Sequence, residues 1–248
     1  MLFFIALSPI LWLVLALSIL KMPGYKACPI ALVIALLAAV AIQGMEPGQA
    51  AMAVLEGLAL ACWPILLVIL AAIFTYNLSL HTGGMDTIKQ LLTAVSSDRR
   101  VLILLIGWGF GGFLEGMAGF GTAIAIPAGM LAGLGISPVL AASVCLVANS
   151  VPTAYGSIGI PLVTLGSVTG IDATVLARYT CLQLAPLTMI CPFLMVVVTG
   201  RSLRALQGVW PIALASGLGF LLPEALVAST MGPDLAVVAG SLGAMAAI

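Results

Sequence analysis

The stretch FLEGMAGFGT, residues 113–122, carries one acidic residue, Glu115, inside a long apolar and glycine-rich part of the chain. Between Arg100 and Asp172 lie 71 residues, and Glu115 is the only charged one. The same segment holds 14 of the 27 glycines. A carboxylate that faces lipid costs several kcal/mol, so we expect Glu115 to face a cavity or a partner. Because glycines let the backbone approach a ligand closely, the stretch indicates a substrate path through a membrane.

The overall composition places this stretch in a membrane protein. The chain is 63% hydrophobic and 6% charged, with a mean hydropathy of +1.30, whereas soluble domains carry about 25% charged residues. We therefore expect an all-α polytopic membrane protein in contact with the lipid bilayer. The net charge of zero argues against a nucleic-acid partner. The five cysteines form no CxxC pair, and we expect reduced thiols rather than a disulfide or metal site.

The charged loops predict the membrane spans and their orientation. Apolar runs predict scaffold spans within residues 1–76, and basic residues occur in loops 21–26 and 77–100 but not in loop 43–57. By the positive-inside rule loops 21–26 and 77–100 are cytoplasmic, loop 43–57 is outside, and the N-terminus is outside. Residues 83–97 are predicted to form an amphipathic helix, which lies along the cytoplasmic interface or packs on the protein surface. Its apolar face consists of Met85, Ile88, Leu91, Leu92 and Val95.

The middle of the chain must cross the membrane an odd number of times. Three short crossings are one alternative. We favour a re-entrant hairpin over residues 101–135, followed by one broken span over residues 138–169, because the glycines are too dense for a helix that faces lipid. Pro152 and Pro161 interrupt the second segment. A span over 181–199 then returns to the cytoplasm, and residues 209–222 cross outward before a loop that carries Glu224 and Asp234.

This order predicts two inverted repeats. Residues 1–205 form the first transmembrane repeat, and residues 206–248 begin a second one of opposite orientation. Inverted repeats with broken helices near the bilayer midplane are the architecture of secondary transporters. The chain stops inside an apolar run, so we expect the second repeat to be truncated, with a missing C-terminal half or a homo-oligomer completing it.

Glu115 and the polar groups around it are the candidate site. Glu115 is either a proton-carrying or cation-binding acid, or a structural acceptor for backbone N–H groups at the hairpin tip. The segment from Gly116 to Thr122 exposes backbone N–H groups before a helix, where a carboxylate binds well. Neutral polar side chains that could hold a substrate, or cap a broken helix instead, follow in the stretch NSVPTAYG, residues 149–156. The candidate substrate or coupling residues are Glu115, Gly116, Gly119, Gly121, Thr122, Asn149, Ser150, Thr153 and Gly156.

Two enzymatic interpretations fail. Residues 107–112 match the pattern GxGxxG, but the βαβ context and the later acid of a dinucleotide site are absent, and close helix packing explains these glycines better. No Ser/His/Asp, Cys/His or metal-ligand cluster occurs in the sequence. We therefore expect a protein that is not an enzyme and that uses no cofactor.

The sequence resembles the bacterial L-lactate permease family. Residues 113–121 resemble the family's signature, and so does the stretch that leads from Asn149 through Pro152 to residues 159–161. The segments 97–100, before the hairpin, and 168–172, after the broken span, are similar as well. The resemblance covers nearly the whole chain, and family members are about twice as long. It implies proton symport of lactate, or in some members glycolate, and it gives Glu115, Gly116, Gly119, Gly121, Asn149 and Gly156 motif positions.

From the residues and the resemblance together we expect a secondary transporter in the cell (inner) membrane. It would import lactate or a related 2-hydroxy monocarboxylate by proton symport, with the small carboxylate and the proton as its partners. A sodium-coupled carboxylate carrier is the alternative within this class. A non-transporting channel or scaffold is the alternative outside it, although a pore more often shows rings of charge.

The hairpin topology predicts which side of the membrane residue 137 faces. A cysteine introduced by Ser137→Cys, in a chain whose native cysteines are replaced, should react with an impermeant maleimide from the cytoplasmic side. The native loop 43–57, probed through Gly48→Cys, is the control for the outer side. Labelling of residue 137 only from outside would contradict the re-entrant hairpin.

Overall fold

The computed structural model describes residues 2–119 and 121–248, so that Phe120 of the sequence motif lies outside the described residues. For residues 2–4, 64, 65, 68, 69, 72, 73, 76, 80, 85, 89 and 93 the description covers the backbone alone, which leaves the Met85 side chain of the predicted apolar face outside it. Within these ranges every regular element is a helix, as the composition predicts. The contacts divide the chain into two compact units, Met1–Leu67 and Val68–Ile248.

The α-helices follow one another with short connections. In order they are α1 (Leu2–Val14), α2 (Gly24–Leu37), α3 (Pro47–Leu60), α4 (Leu66–His81), α5 (Gly84–Val95), α6 (Arg99–Leu102), α7 (Gly111–Met117), α8 (Thr122–Gly133), α9 (Pro138–Asn149), α10 (Gly156–Thr169), α11 (Ala173–Gly200), α12 (Trp210–Thr230) and α13 (Ala236–Ala247). Four π-helical segments, Leu15–Ile19, Ala38–Ile42, Ala61–Ile65 and Ile103–Phe110, extend α1, α2, α3 and α6. Two 3₁₀ turns lie at Pro152–Tyr155 and Leu203–Leu206.

The first unit packs through small residues. Among its described side chains the buried ones are alanines, namely Ala16, Ala27, Ala31, Ala38 and Ala50, while large apolar side chains such as Leu11 and Val14 are exposed. Trp12 Nε1 donates a hydrogen bond of 3.2 Å to the carbonyl oxygen of Ala27, which joins α1 to α2. Small residues between helices and large apolar residues facing outward are the pattern of helices packed in lipid.

The region between residues 43 and 81 differs from the sequence-based expectation. Residues 43–57 were predicted as a loop, but α3 begins at Pro47, because proline is favourable in the first turn of a helix. The helical run is interrupted at Trp63, whose φ of −141° and ψ of 113° are extended. The following helix α4 ends at His81 rather than at Tyr76.

The arm from residue 101 to residue 117 forms the centre of the second unit. All residues from Val101 to Phe110 are buried. They are covered by α8, α9, α11, α12 and α13. A helix that is apolar on all sides is stable only when it is enclosed, and this arm meets that condition within the protein itself.

The glycines of this arm allow its neighbours to approach. A Cβ atom on Gly107 would lie 3.0 Å from Met195 Cε of α11, and one on Gly112 would lie 3.0 Å from the Phe220 ring of α12. A Cβ atom on Gly116 would lie 2.9 Å from Val238 Cγ2 of α13. The contacts at Gly107 and Gly112 support close helix packing as the explanation of the glycines in the GxGxxG match.

Residues 101–135 fold as two helical arms joined by a short turn. The first arm ends at Met117, and α8 begins at Thr122. Gly119 and Gly121 in the turn have φ values of +59° and +87°, which favour glycine. The two helical arms run from Arg99 to Met117 and from Thr122 to Gly133, and the re-entrant hairpin over residues 101–135 that enters from the cytoplasmic side stays a prediction.

The next segment is broken, as its prolines predict. The helices Pro138–Asn149 and Pro152–Thr169 are bent by 57° relative to each other. Immediately after the 3₁₀ turn, Ser157, Ile158 and Gly159 have positive φ values of 50°, 57° and 71°. Such values are strained for a β-branched residue like Ile158, and strain of this kind costs about 1–3 kcal/mol per residue.

Four helices in the described ranges are long and apolar enough to cross a membrane, and the bent pair would be a fifth span. The four are Gly24–Ile42, Arg99–Met117, Ala173–Gly200 and Trp210–Thr230. The last of these differs from the expected span 209–222, because the helix continues through Pro223 to Thr230. Glu224, which was predicted in an outer loop, is therefore part of α12 and is only 1% exposed.

The base of the hairpin is fixed by a charged pair. Asp98 caps α6 by accepting a hydrogen bond of 2.9 Å from the backbone N–H of Arg100, and its side chain forms a 2.7 Å ion pair with the Arg100 guanidinium. The same guanidinium donates to the carbonyl oxygens of Ala205 and Gln207 at 2.8 and 3.0 Å. The hydrogen bond from Arg100 is the main cause that lowers the pKa of the Asp98 carboxyl group below its ordinary value.

This pair predicts a pH-dependent contribution to stability. Because the pKa of Asp98 is lowered on folding, its stabilisation is present above the ordinary aspartate pKa and is lost as the pH falls below it. Asp98→Asn keeps a capping oxygen and removes the charge. Since Asp98 is 36% exposed, we expect it to reduce the free energy of unfolding by less than about 1 kcal/mol at neutral pH.

Thermal unfolding of the detergent-solubilised protein between neutral pH and about pH 3 measures this difference. The gap between wild type and Asp98→Asn should close in acid and shrink in high salt, whereas Asp86→Asn at an exposed position is the control. A gap that is constant across this pH range would show that the charge of Asp98 does not contribute.

Candidate functional site

The Glu115 carboxyl group lies where the hairpin turn meets the break between α9 and α10. Glu115 belongs to the last turns of α7 and is 4% exposed. Its Oε2 atom has no hydrogen-bond partner among the described residues. The side chain within hydrogen-bonding reach of the carboxyl group is Asn149, the last residue of α9. The structure therefore brings together two predicted site residues that are 34 positions apart in sequence.

One glycine of the predicted set makes room for this carboxyl group, and a second lies beside it. A Cβ atom on Gly156 would collide with Glu115 Oε1 and would lie 3.3 Å from its Cδ atom, so a side chain there would displace the carboxyl group. A Cβ atom on Gly119 would lie 3.4 Å from Glu115 Oε1, which is an ordinary van der Waals contact, but it would collide with Ser157 Oγ.

A hydroxyl group holds the turn and the break together beside Glu115. Ser157 Oγ donates a hydrogen bond of 2.8 Å to the carbonyl oxygen of Ala118, in the turn that follows α7. Ser157 is 5% exposed. Its positive φ is accommodated because this bond, together with the contact between Ser157 and Gly119, fixes the local backbone.

Asn149 and Thr153 form a second polar link across the break. Asn149 Nδ2 donates to Thr153 Oγ1 at 3.0 Å, and Thr153 Oγ1 donates in turn to the carbonyl oxygen of Asn149. Asn149 Oδ1 has no partner among the described side chains and backbone groups. The two unpaired atoms near the break, Glu115 Oε2 and Asn149 Oδ1, are both acceptors while the carboxyl group is ionised.

The remaining predicted residues lie in other environments. Gly116 packs against Val237 and Val238 of α13. Thr122 Oγ1 donates to the carbonyl oxygen of Gly119 at 2.7 Å and so fastens the turn. Ser150 Oγ donates to the carbonyl oxygen of Val147, within its own helix.

Gly121 has nothing within 4 Å of a Cβ position, and its positive φ allows the left-handed turn before α8. For Gly116, Gly121, Thr122 and Ser150 the structure favours a structural interpretation over contact with Glu115.

Two residues near the break were not predicted from the sequence. Ser157 follows Gly156 directly, and its pairing with Ala118 depends on a contact between distant segments. Tyr155 is fully buried, and its hydroxyl group donates a 2.6 Å hydrogen bond to the carbonyl oxygen of Ala177 on α11. The signal that could have identified them is their position inside the polar stretch 149–157 of an otherwise apolar segment.

The arrangement can accept a proton or a hydrogen-bond donor. A buried carboxyl group with a free oxygen and no basic neighbour is much more stable when neutral than when ionised. None of the described lysine or arginine side chains forms an ion pair with Glu115. A group of this kind binds a proton, a hydroxyl donor or a cation, and an anion can approach it only while the carboxyl group is neutral.

These features define a multi-pass helical membrane protein with a buried acid beside a broken helix, the arrangement that is typical of transport proteins. The chain belongs to the L-lactate permease family, whose model matches residues 2–248.

Similar proteins occur in several bacteria. The chain is 47% identical over 238 residues to an L-lactate permease of Streptococcus iniae, and the match covers 96% of this chain and 50% of that protein. It is 38% identical over 243 residues to an L-lactate permease of Bacillus subtilis (strain 168), covering 98% and 43% respectively. It is 35% identical over 238 residues to a glycolate permease of Escherichia coli (strain K12), covering 96% and 42%.

The chain thus spans about half the length, or less, of these curated relatives. No solved structure matches it.

The contact between Gly156 and Glu115 predicts a specific energetic coupling. Gly156 has a φ of −58° and a ψ of 154°, which alanine adopts without strain. Gly156→Ala should therefore destabilise the protein only by displacing the carboxyl group, at a cost of about 1–3 kcal/mol. In the background of Glu115→Ala, where the carboxyl group is gone, this cost should largely disappear.

Thermal unfolding of the four proteins of this double-mutant cycle measures the coupling. Gly129→Ala is the matched control, because Gly129 is helical and has nothing within 4 Å of a Cβ position. It should be neutral or slightly stabilising. If the effects of Gly156→Ala and Glu115→Ala simply add, the two residues do not share this contact in the membrane.

Proposed function

We propose that this chain is part of a secondary active transporter that imports lactate or a related 2-hydroxy monocarboxylate together with a proton across the cell (inner) membrane. Membership of the L-lactate permease family supports the transport class. Relatives named as lactate and glycolate permeases support a small 2-hydroxy monocarboxylate as the substrate class. The observation that carries the proton coupling is the buried Glu115, whose Oε2 atom lacks a partner among the described residues.

The coupling follows from the repulsion between like charges. When Glu115 is ionised, a substrate carboxylate near it would place two negative charges in a poorly hydrated environment, which is unfavourable. When Glu115 is protonated, the repulsion disappears and the acid gains an O–H donor that can bind the substrate. Substrate binding and protonation therefore favour each other, and by thermodynamic linkage the preference is reciprocal.

The surrounding polar groups suit the neutral part of such a substrate. The Asn149 amide oxygen can accept a hydrogen bond from a 2-hydroxyl group, since it is unpaired among the described residues. The backbone N–H groups of Thr122 and Ile124 at the start of α8 already donate to carbonyl oxygens of the turn, so they are not free for the substrate carboxylate. We assign the substrate to the space around the hairpin turn and the break, with Glu115 and Asn149 as its nearest side chains.

The break itself is the element that we expect to move. The strained residues Ser157 and Ile158 lie directly after Gly156, which contacts Glu115. Strained backbone of this kind persists only where the surrounding structure enforces it, and it is common in segments that switch. A substrate that binds Glu115 in place of its contact with Gly156 would release the strained turn. The backbone of the break could then adopt a second conformation.

A proton requires one acceptor atom, whereas a metal cation is normally held by several oxygen ligands. The buried side-chain oxygens without a partner next to the break in the described residues are Glu115 Oε2 and Asn149 Oδ1. This small number favours a proton over sodium as the coupling ion. Uptake that requires a sodium gradient and is indifferent to the proton gradient would reverse this assignment.

The role of Glu115 is tested by Glu115→Gln in the complete protein, reconstituted in vesicles with the protein amount matched. Glutamine keeps the size and part of the hydrogen bonding but cannot release a proton. We expect proton-driven accumulation of lactate to fall at least tenfold, which corresponds to about 1.4 kcal/mol or more of lost coupling. Exchange of labelled for unlabelled lactate across the same vesicles should persist.

Glu56→Gln is the matched control, because Glu56 is exposed on α3. It should accumulate lactate as the wild type does. Normal uphill accumulation by Glu115→Gln would eliminate the coupling role and leave Glu115 as a structural residue of the turn. Loss of both accumulation and exchange, with normal insertion, would assign Glu115 to substrate binding alone.

A further inference from the structure

A second carboxyl group in the described part of the chain is as deeply enclosed as Glu115. Glu224 is 1% exposed, and its Oε1 atom has no hydrogen-bond partner among the described residues. It lies six residues before the end of the helix Trp210–Thr230, about 9 Å along the axis at 1.5 Å per residue. This depth within an apolar helix distinguishes it from the exposed acids of the loops.

The burial of Glu224 follows from the face of the helix that it occupies. The buried residues of α12 recur every three or four positions, at Ala213, Ser216, Gly217, Phe220, Glu224 and Ala228. Phe220, one turn earlier, packs its ring against Trp108 with the centroids 4.5 Å apart. Glu224 therefore faces the interior of the second unit and not its periphery.

The ionisable neighbours of Glu224 are not basic. Its carboxyl group is close enough to the phenol of Tyr155 and the thiol of Cys181 on α11 for electrostatic interaction. Helix α13, which packs along α12, contributes no ionisable residue, and α12 contributes no other. Among the described lysine and arginine side chains none pairs with Glu224.

An ionised carboxylate enclosed in this way would be strongly unfavourable. The neutral acid avoids that penalty, but it leaves a polar oxygen unpaired, which is itself unfavourable. Replacement by an apolar side chain would remove both costs. A buried acid that has an unpaired oxygen and no basic partner among the described residues is the pattern of a group that exchanges a proton.

The position of Glu224 relates it to the break between α9 and α10. Tyr155, its phenolic neighbour, directly precedes Gly156, against which the Glu115 carboxyl group rests. The connection between α12 and α13 also touches this region, since a Cβ atom on Gly159 would lie 2.9 Å from the carbonyl carbon of Pro233. Movement of the break would therefore change the surroundings of both acids.

We propose that Glu224 is a second proton-binding site of this protein, separate from Glu115. The Glu224 carboxyl group is neutral in this arrangement and releases its proton when its surroundings are opened to water. The site takes a proton and no larger ligand. This inference does not depend on the role of Glu115 or on the identity of the transported substrate.

Infrared difference spectroscopy on the complete protein in lipid nanodiscs tests the proposal, because a protonated carboxyl group has a carbonyl-stretching band that a carboxylate lacks. At pH 7 the wild type should show this band, and Glu224→Gln should lower its intensity by the contribution of one carboxyl group per protein. The band should disappear reversibly as the pH is raised and should remain in Glu115→Gln. Asp234→Asn, an exposed acid in the connection to α13, is the control and should leave the band unchanged.

Two results would overturn the proposal. If Glu224→Gln leaves the band unchanged at pH 7, the carboxyl group is ionised. If the Glu224-dependent band persists at every pH at which the protein is folded, the proton is permanent and the acid is structural. A failure of Glu115→Gln to impair accumulation would count against the proposed function alone, since the Glu224 band is measured without substrate.

Labelling of the wild type decides the question if Glu224→Gln does not fold. Dicyclohexylcarbodiimide enters the bilayer and reacts with protonated carboxyl groups: the O–H adds across one C=N bond, and the acyl group migrates from oxygen to nitrogen to give a stable N-acylurea. Mass spectrometry should find this adduct on the Glu224 peptide at neutral pH and less of it at alkaline pH. An unmodified Glu224 peptide, in a sample whose Glu115 peptide is modified, would reject the second site.

Discussion

The contact between the Glu115 carboxyl group and the backbone of the 156–157 break is the constraint on which the centre of this molecule depends. The carboxyl group rests against Gly156 and Gly119, and Ser157 fastens the break to the turn through the carbonyl oxygen of Ala118. A Cβ atom on Gly156 would need the space of the Glu115 carboxyl group, and one on Gly119 would need the space of Ser157 Oγ, so the acid, the two glycines and the serine fit together. The hairpin and the bent helix pair are thereby held in one arrangement.

Glycine has two different roles in this fold, and sequence spacing does not separate them. Gly107, Gly112 and Gly116 bring the buried arm close to α11, α12 and α13, where helix packing without large side chains is favourable. Gly156 instead makes room for the Glu115 carboxyl group, and Gly119 makes room for Ser157 Oγ. A substitution in the first set acts on packing, whereas a substitution in the second acts on the candidate site.

The second unit contains two enclosed acids around one strained turn. Residues 157–159 have positive φ values, Gly156 before them meets Glu115, and Tyr155 before that is near Glu224. The Gly159 backbone meets the connection between α12 and α13 at Pro233. A change in this short turn would therefore reach the hairpin and α12 at the same time, and this is the physical route for the proposed coupling of proton binding to a change in shape.

The sequence by itself determined the class of the protein and pointed to its candidate site. Its apolar composition requires a helical membrane protein, because only a helix satisfies its own backbone hydrogen bonds within a single segment, and the isolation of Glu115 among glycines marks the candidate site. The prolines at 152 and 161 predict the broken segment. Only the tertiary structure decided which polar residues meet, because the approach of Asn149 and Gly156 to Glu115 depends on the bend between two helices. It also decided that Glu224 is enclosed, since the helix continues past Pro223 and the partners that bury this acid are distant in sequence.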